Sequence, residues 1–131
     1  MIVADTSALL AILFDEPKAG PCRAALQQEP DVRISAGTLS EALIILAHRG
    51  GFDELAALVE SLGIVVEPVD AARAVRVGRA HGRWGRGVHP AKLNFGDCFA
   101  YALAEELGCP LLYVGDDFER TDIAKAYRES A

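Results

Sequence analysis

The 131-residue chain is poor in the residues that build cross-linked or thiolate-metal frameworks. Its three cysteines, Cys22, Cys98 and Cys109, are odd in number and form no C-x-x-C pair, which argues against a disulfide framework and a structural zinc site. Reduced core thiols are expected. The histidines, His48, His81 and His89, lack metal-ligand spacing too, and a nucleophilic pair of His89 with Cys98 is the arrangement left open to them. No apolar run approaches the ~20 residues that span a bilayer, and no basic-then-apolar leader precedes Asp5, so a cytoplasmic protein with no membrane contact is expected. Repeats and low-complexity tracts are absent. One stretch lacks acids: none lies between Asp70 and Asp97.

Length favours one domain over residues 1–131, since domains run to ~100–200 residues. A chain of this size buries roughly two-thirds of its unfolded surface. Apolar runs and helix punctuation predict a strand at 2–4, a short helix near 7–13, a helix from 17 to 28 opened by Pro17, and a strand near 32–34. A long helix follows at 36–49, stopped by Gly50-Gly51, then helix at 53–62, strand at 64–67, helices at 70–81 and 95–107, and strand at 111–114. Strands alternating with helices imply an α/β fold: three layers, α/β/α, around a mainly parallel sheet of about four to five strands joined by right-handed crossovers. The Gly- and Arg-rich stretch Gly82–Pro90 reads as a flexible loop.

Four short acidic motifs punctuate this pattern: Val3-Ala4-Asp5-Thr6-Ser7, Ser40-Glu41, Asn94-Phe95-Gly96-Asp97-Cys98 and Gly115-Asp116-Asp117-Phe118. Each carboxylate sits beside an apolar run, an expensive place for a charge unless something uses it. Asp5 ends a predicted strand, and Leu111-Leu112-Tyr113-Val114 repeats the arrangement ahead of Asp116 and Asp117. In open α/β sheets, ligands bind outside the carboxyl ends of the strands. Glu41 has an alternative use, because Thr38-Leu39-Ser40-Glu41 has capping-box spacing. Asn94 is placed to cap a helix whose first turn holds Asp97, where the macrodipole favours an anion by roughly 0.3–1 kcal/mol. Phe95, Phe99, Leu103 and Leu107 follow a helical stripe, which predicts a buried helix with that carboxylate at its start.

These motifs resemble the PIN-domain ribonucleases, specifically the VapC-type toxins of toxin–antitoxin pairs. The resemblance covers nearly the whole chain: the opening Asp5-Thr6-Ser7-Ala8-Leu9, Glu41 in the third predicted helix, the block from Leu93 to Ala102, and Leu111 to Phe118 followed by Thr121-Asp122-Ile123. Family members usually place one acid in the last motif. Asp116 and Asp117 compete for it here, and Asp117 is favoured.

Clustered carboxylates without His or Cys select hard cations, so Mg²⁺ or Mn²⁺ is the expected occupant. Asp5 and Asp97 are assigned as primary ligands, with Glu41 and Asp117 completing the cluster. Thr6 and Ser7 either hydrogen-bond a ligand carboxylate or a phosphate oxygen, or merely cap the helix after Asp5.

The net charge of −6 argues against a nucleic-acid partner, but its distribution does not. Arg73, Arg76, Arg79, Arg83, Arg86 and Lys92 all fall in the acid-free stretch, nearly half of the 13 cations. The first three share a helical face, which either draws phosphates to a site whose carboxylates repel them or is simply solvated. Trp84, the only tryptophan, could stack on an unpaired base or pack against the loop.

The resemblance further implies an endoribonuclease acting on structured cellular RNA, a homodimer, and a VapB-like antitoxin that inhibits it as a hetero-oligomer. Leu9, Ile12, Leu13, Leu43 and Leu46 are the expected walls of an apolar groove for that partner or for a second copy. Two other classes compete. A phosphoacceptor receiver needs an acidic pair after its first strand and a late-strand lysine, and this chain has neither. A catalytically inactive PIN-like RNA-binding or regulatory module is the other, and the complete acid set argues against it.

Overall fold

The apolar strand β1 (Ile2–Ala4) is buried throughout because the sheet it belongs to is covered on both faces, the condition under which parallel strands read as continuous apolar runs. The computed structural model describes residues 1–127; residues 128–131 of the expected domain lie outside the described residues. After β1 the elements follow in the order α1 (Thr6–Leu13), α2 (Ala19–Gln28), β2 (Val32–Ser35), α3 (Ala36–Arg49), α4 (Phe52–Ser61), β3 (Val65–Glu67), α5 (Ala71–Trp84), α6 (Phe95–Leu107) and β4 (Leu111–Leu112). The four strands form one sheet, ordered β3-β2-β1-β4, and every pairing is parallel. In register, Ile2 faces Val32, Val3 faces Leu111, and Arg33 faces Val65.

Alternation along β1 splits the interior into two cores. Ile2 and Ala4 pack with Leu9, Leu26, Leu46 and Leu55, contributed by α1 to α4. Val3 points the other way, toward Trp84 of α5 and Tyr101 and Leu103 of α6. Each fully buried leucine contributes about 1.5–3 kcal/mol of transfer free energy, so the two cores together hold the three layers. Gly50 and Gly51, with φ of 85° and 115°, end α3 where their sequence predicts, in a conformation that glycine adopts without strain.

Several boundaries differ from the sequence reading. Helix α5 continues to Trp84, because that indole is buried edge-on against His89 at 4.7 Å and near Tyr101 at 6.1 Å; packing overrides the glycine at 82. The segment after Trp84 is not a slack loop. Val88 and His89 both donate to the Gly85 carbonyl at 3.0 Å, Arg86 N–H donates to Leu93 at 3.0 Å, and Leu93 N–H returns to Trp84 at 3.1 Å.

The stripe expected on α6 is buried only in part: Leu103 lies in the core and Leu107 packs against it, but its first aromatic does not. Phe95 is 77% exposed, and the helix sinks into the core through Gly96, Cys98, Ala100, Tyr101, Ala102 and Ala104. Small residues let a helix be buried on more than one side. The expected groove walls are likewise core: Leu9 and Leu46 are fully buried and Ile12 nearly so, while Leu13 and Leu43 pack against the same cluster. Among the described residues no helix is long and apolar enough to cross a membrane.

Candidate functional site

The buried polar side chains of the described residues are Asp5, Thr6, Ser35, Thr38 and Asp97, and they gather where β1 and β2 end and α1, α3 and α6 begin. In a parallel sheet that is the carboxyl edge of the strands, the expected ligand side.

Asp5 is the N-cap of α1. Its Oδ2 accepts the Ser7 N–H at 3.0 Å and the Ser7 hydroxyl at 2.6 Å, while Ser7 Oγ accepts the Val114 N–H at 3.0 Å. That last bond ends β4 at Leu112 rather than at 114, because Val114 turns to the serine. Burial pushes the Asp5 carboxyl up to about 6; the Ser7 bonds oppose the shift and the charge of Glu41 adds to it.

Asp97 does two things at once. It closes a capping box at the start of α6, accepting the Asn94 N–H on Oδ2 at 3.0 Å while Asn94 Oδ1 accepts the Asp97 N–H at 2.9 Å. It is also buried, and its carboxyl is pushed up to about 7, first by burial and then by the charges of Asp5, Asp117 and Glu41, against the pull of the Asn94 N–H. Four acids from four segments thus share one field.

Glu41 is not a capping-box residue. Ser35 caps α3 by accepting the Gly37 N–H at 3.2 Å. Glu41 Oε1 instead accepts the Thr6 hydroxyl at 2.9 Å, and the Thr38 carbonyl lies 3.3 Å from that hydroxyl. Of the expected roles for Thr6 and Ser7, the structure gives both the carboxylate contact. Neither is the cap of α1. Asp116 and Asp117 follow Gly115 on an exposed turn; the charge of Asp117 is felt at Asp97 and that of Asp116 at the Tyr113 hydroxyl.

The sequence reading missed Gly96. A Cβ at this position would fall 1.7 Å from Glu41 Oε2, so the glutamate reaches the start of α6 only because residue 96 has no side chain. A glycine in the first turn of a predicted helix was the available signal. Also unforeseen is an open apolar hollow of about 480 Å³ beside Glu41, lined by Gly37, Ile44, Ile45, Phe95 and Phe99.

The basic strip lies elsewhere. Arg73 pairs with Glu67 at 2.8 Å and Glu106 at 3.1 Å, Arg76 with Glu106 at 3.7 Å, and Arg83 with Asp122 at 3.4 Å and Glu105 at 3.9 Å. Glu106 is about 13 Å of helix rise from Asp97. Arg79 and Arg86 are exposed and, among the described residues, have no ionic partner. Trp84 is enclosed by Arg83, His89 and Tyr101, so its ring is closed to a nucleic-acid base.

Among the described residues no three carboxylate, imidazole or thiolate side chains converge closely enough to hold an ion as they stand. The donor chemistry fits one nonetheless. Asp5 and Asp97 are buried, hold their backbone bonds on Oδ2, and are raised first by burial and then by neighbouring charge of their own sign, which a hard divalent cation would offset.

The family model described as PIN domain matches residues 2–124. Ribonuclease VapC42 of Mycobacterium tuberculosis is 43% identical over 130 residues, covering 95% of this chain and 98% of that protein. Ribonuclease VapC of Mycolicibacterium smegmatis is 40% identical over 129 residues, covering 96% and 100%. Among solved structures, the sarcin-ricin-loop-cleaving toxin VapC20 of Mycobacterium tuberculosis superposes with a TM-score of 0.79 at 21% identity, over 98% of this chain and 100% of that one. A toxin–antitoxin complex from Klebsiella pneumoniae gives 0.69 at 18% identity, over 98% and 100%. This chain belongs to the PIN-domain family, within its VapC ribonuclease branch.

Proposed function

We propose that this chain is an endoribonuclease toxin that hydrolyses RNA phosphodiester bonds with a divalent cation, Mg²⁺ or Mn²⁺, held by Asp5, Asp97 and Asp117, and that a VapB-like antitoxin restrains it. The observation that carries the reading is the convergence on Asp97, where burial and the charges of Asp5, Asp117 and Glu41 all act on one carboxyl. Such a cluster destabilises the protein until a cation enters it. RNA as the substrate is supported by relatives named ribonucleases at 40–43% identity over nearly the full chain.

The roles follow from placement. Asp5 and Asp97 would hold the ion from the buried side, and Asp117 from the exposed rim. When bound, the ion supplies Lewis acidity, easing deprotonation of an attacking water and offsetting charge on the phosphodiester. Glu41, fixed at Oε1 by Thr6, presents Oε2 to orient that water and accept its proton. Ser7 keeps the Asp5 carboxylate turned into the site. The apolar hollow at Ile44, Phe95 and Phe99 supports protein partners at this edge, a second copy in a homodimer and the antitoxin in a hetero-oligomer. The unit of action is the single PIN domain of residues 1–131, working in the cytoplasm.

Incubating the purified protein with cellular RNA and Mn²⁺, with and without EDTA, tests the reading. Cleavage abolished by EDTA is expected. RNA that is bound but uncut with every divalent ion would replace it by the inactive RNA-binding module.

A further inference from the structure

Arg86, Lys92 and Arg120 are exposed, and none is paired with an acid among the described residues. They are also neighbours. Arg86 N–H donates to the carbonyl of Leu93, the residue after Lys92, and the Arg120 guanidinium donates to the Pro90 carbonyl at 3.3 Å. Leu93 leads directly into Asn94, the cap over Asp97, and Arg120 comes after Asp117 in the next turn. The three cations therefore lie on the two segments that supply Asp97 and Asp117.

The segment between them is pre-ordered. Lys92 N–H donates to the His89 carbonyl at 3.0 Å, Ala91 N–H to His89 Nδ1 at 3.0 Å, and the His89 ring packs on the buried Trp84. A charged surface fixed before binding loses little conformational freedom on meeting its ligand. Lys92 itself sits at φ 54°, left-handed backbone that disfavours a side chain other than those of Gly, Asn or Asp. Backbone strain of this kind clusters at ligand-binding positions.

We infer that the RNA phosphates flanking the scissile bond bind Arg86, Lys92 and Arg120, a cationic rim beside the acids, in preference to the arginine strip of α5. The inference rests on the ribonuclease reading above. A carboxylate cluster repels a polyanion, so net attraction must come from cations that are both adjacent and unneutralised. Arg73, Arg76 and Arg83 are occupied by Glu67, Glu105, Glu106 and Asp122, whereas the rim cations have no such partners among the described residues.

The test uses the full chain carrying Asp97→Asn, so that a labelled oligouridylate stays uncut, and measures affinity over a series of salt concentrations. Replacing Arg86, Lys92 and Arg120 together by Gln should make the slope of log affinity against log salt shallower by up to about 2, at about 0.7 for each single-strand phosphate left without its cation. The triple Arg76→Gln, Arg79→Gln, Arg83→Gln should change it less. A rim triple with the parent's slope, or an α5 triple with the larger change, overturns the inference. An Asp97→Asn parent that binds no RNA at any salt counts instead against the ribonuclease reading. Lys92→Gly gives a check immune to misfolding: it relieves the backbone strain, so it should melt no lower than the parent yet bind RNA more weakly. Lower melting with unchanged affinity would make Lys92 a structural residue and overturn its part in the rim.

Discussion

Glu41 and Gly96 exclude each other's alternatives: the glutamate occupies the space that any side chain at position 96 would need, with Oε2 only 1.7 Å from where a Cβ would stand. Gly96→Ala should therefore displace the carboxylate and lower RNA cleavage by about 10²-fold or more, the usual loss when a positioned acid–base group is removed. Gly37→Ala is the matched control. There a Cβ would meet the Phe99 ring at 2.3 Å, so the same α3–α6 crossing is strained with no acid in direct contact. Cleavage per folded molecule should fall far more in Gly96→Ala, and equal losses would show that Glu41's position does not matter.

The Ser7 hydroxyl joins Asp5 Oδ2 to the Val114 N–H, bridging the ends of two strands. Ser7→Ala should cost about 1–3 kcal/mol in urea unfolding, because it leaves a partly buried N–H and a buried carboxylate short of partners. With the hydroxyl gone, the Asp5 carboxyl rises further above about 6, and a proton competes better with a cation. Calorimetric Mn²⁺ titration should show weaker binding, with the deficit larger near pH 6 than near pH 8. An affinity equal to the parent's at both would contradict the bridge.

Asp5 and Asp97 have carboxyls raised from 3.8 to about 6 and about 7. Between those limits the native state binds more protons than the unfolded chain, so the metal-free protein should lose stability as pH rises through this window. Glu29, Asp31 and Glu67 are shifted the opposite way by their ionic partners, and their contribution is lost only on acidification below the ordinary carboxylate range. Urea unfolding in EDTA should thus show less stability near pH 7.5 than near pH 5, with saturating Mn²⁺ restoring it. A metal-free protein more stable at the higher pH would mean the acids are not crowded.

The fold was legible because its signals are local and strong. Strand β1 and its buried neighbours read as short apolar runs, Gly50-Gly51 stops α3 in φ-positive backbone, and Asn94 caps α6 as its position suggests. Three of the acids were placed by the strand-end and cap patterns alone. The readings that failed depended on tertiary packing. Trp84 was ambiguous until His89 and Tyr101 closed over it, and Phe95 followed an apolar period yet lies at the exposed start of a helix buried through its alanines. The arginine spacing on α5 gives a helical face, but no sequence pattern reveals that Glu67 and Glu106 wait opposite Arg73.

Trp84 gives a simple check of that correction. Trp84→Phe should lower stability by about 0.5–3 kcal/mol, as core reshaping does, and leave the salt dependence of RNA binding at the parent's value. A selective loss of RNA affinity with unchanged melting would return the indole to the substrate.

Asp97→Asn tests the central claim most directly, because it removes one charge from the cluster while keeping shape and the oxygen that caps Asn94. Measured side by side in RNA cleavage with Mn²⁺ and in thermal unfolding with EDTA, the variant should lose all cleavage and melt no lower than the parent, since burial and the charges of Asp5, Asp117 and Glu41 no longer act against an ionised carboxyl. Cleavage at the parent's rate would contradict the metal site and the function built on it.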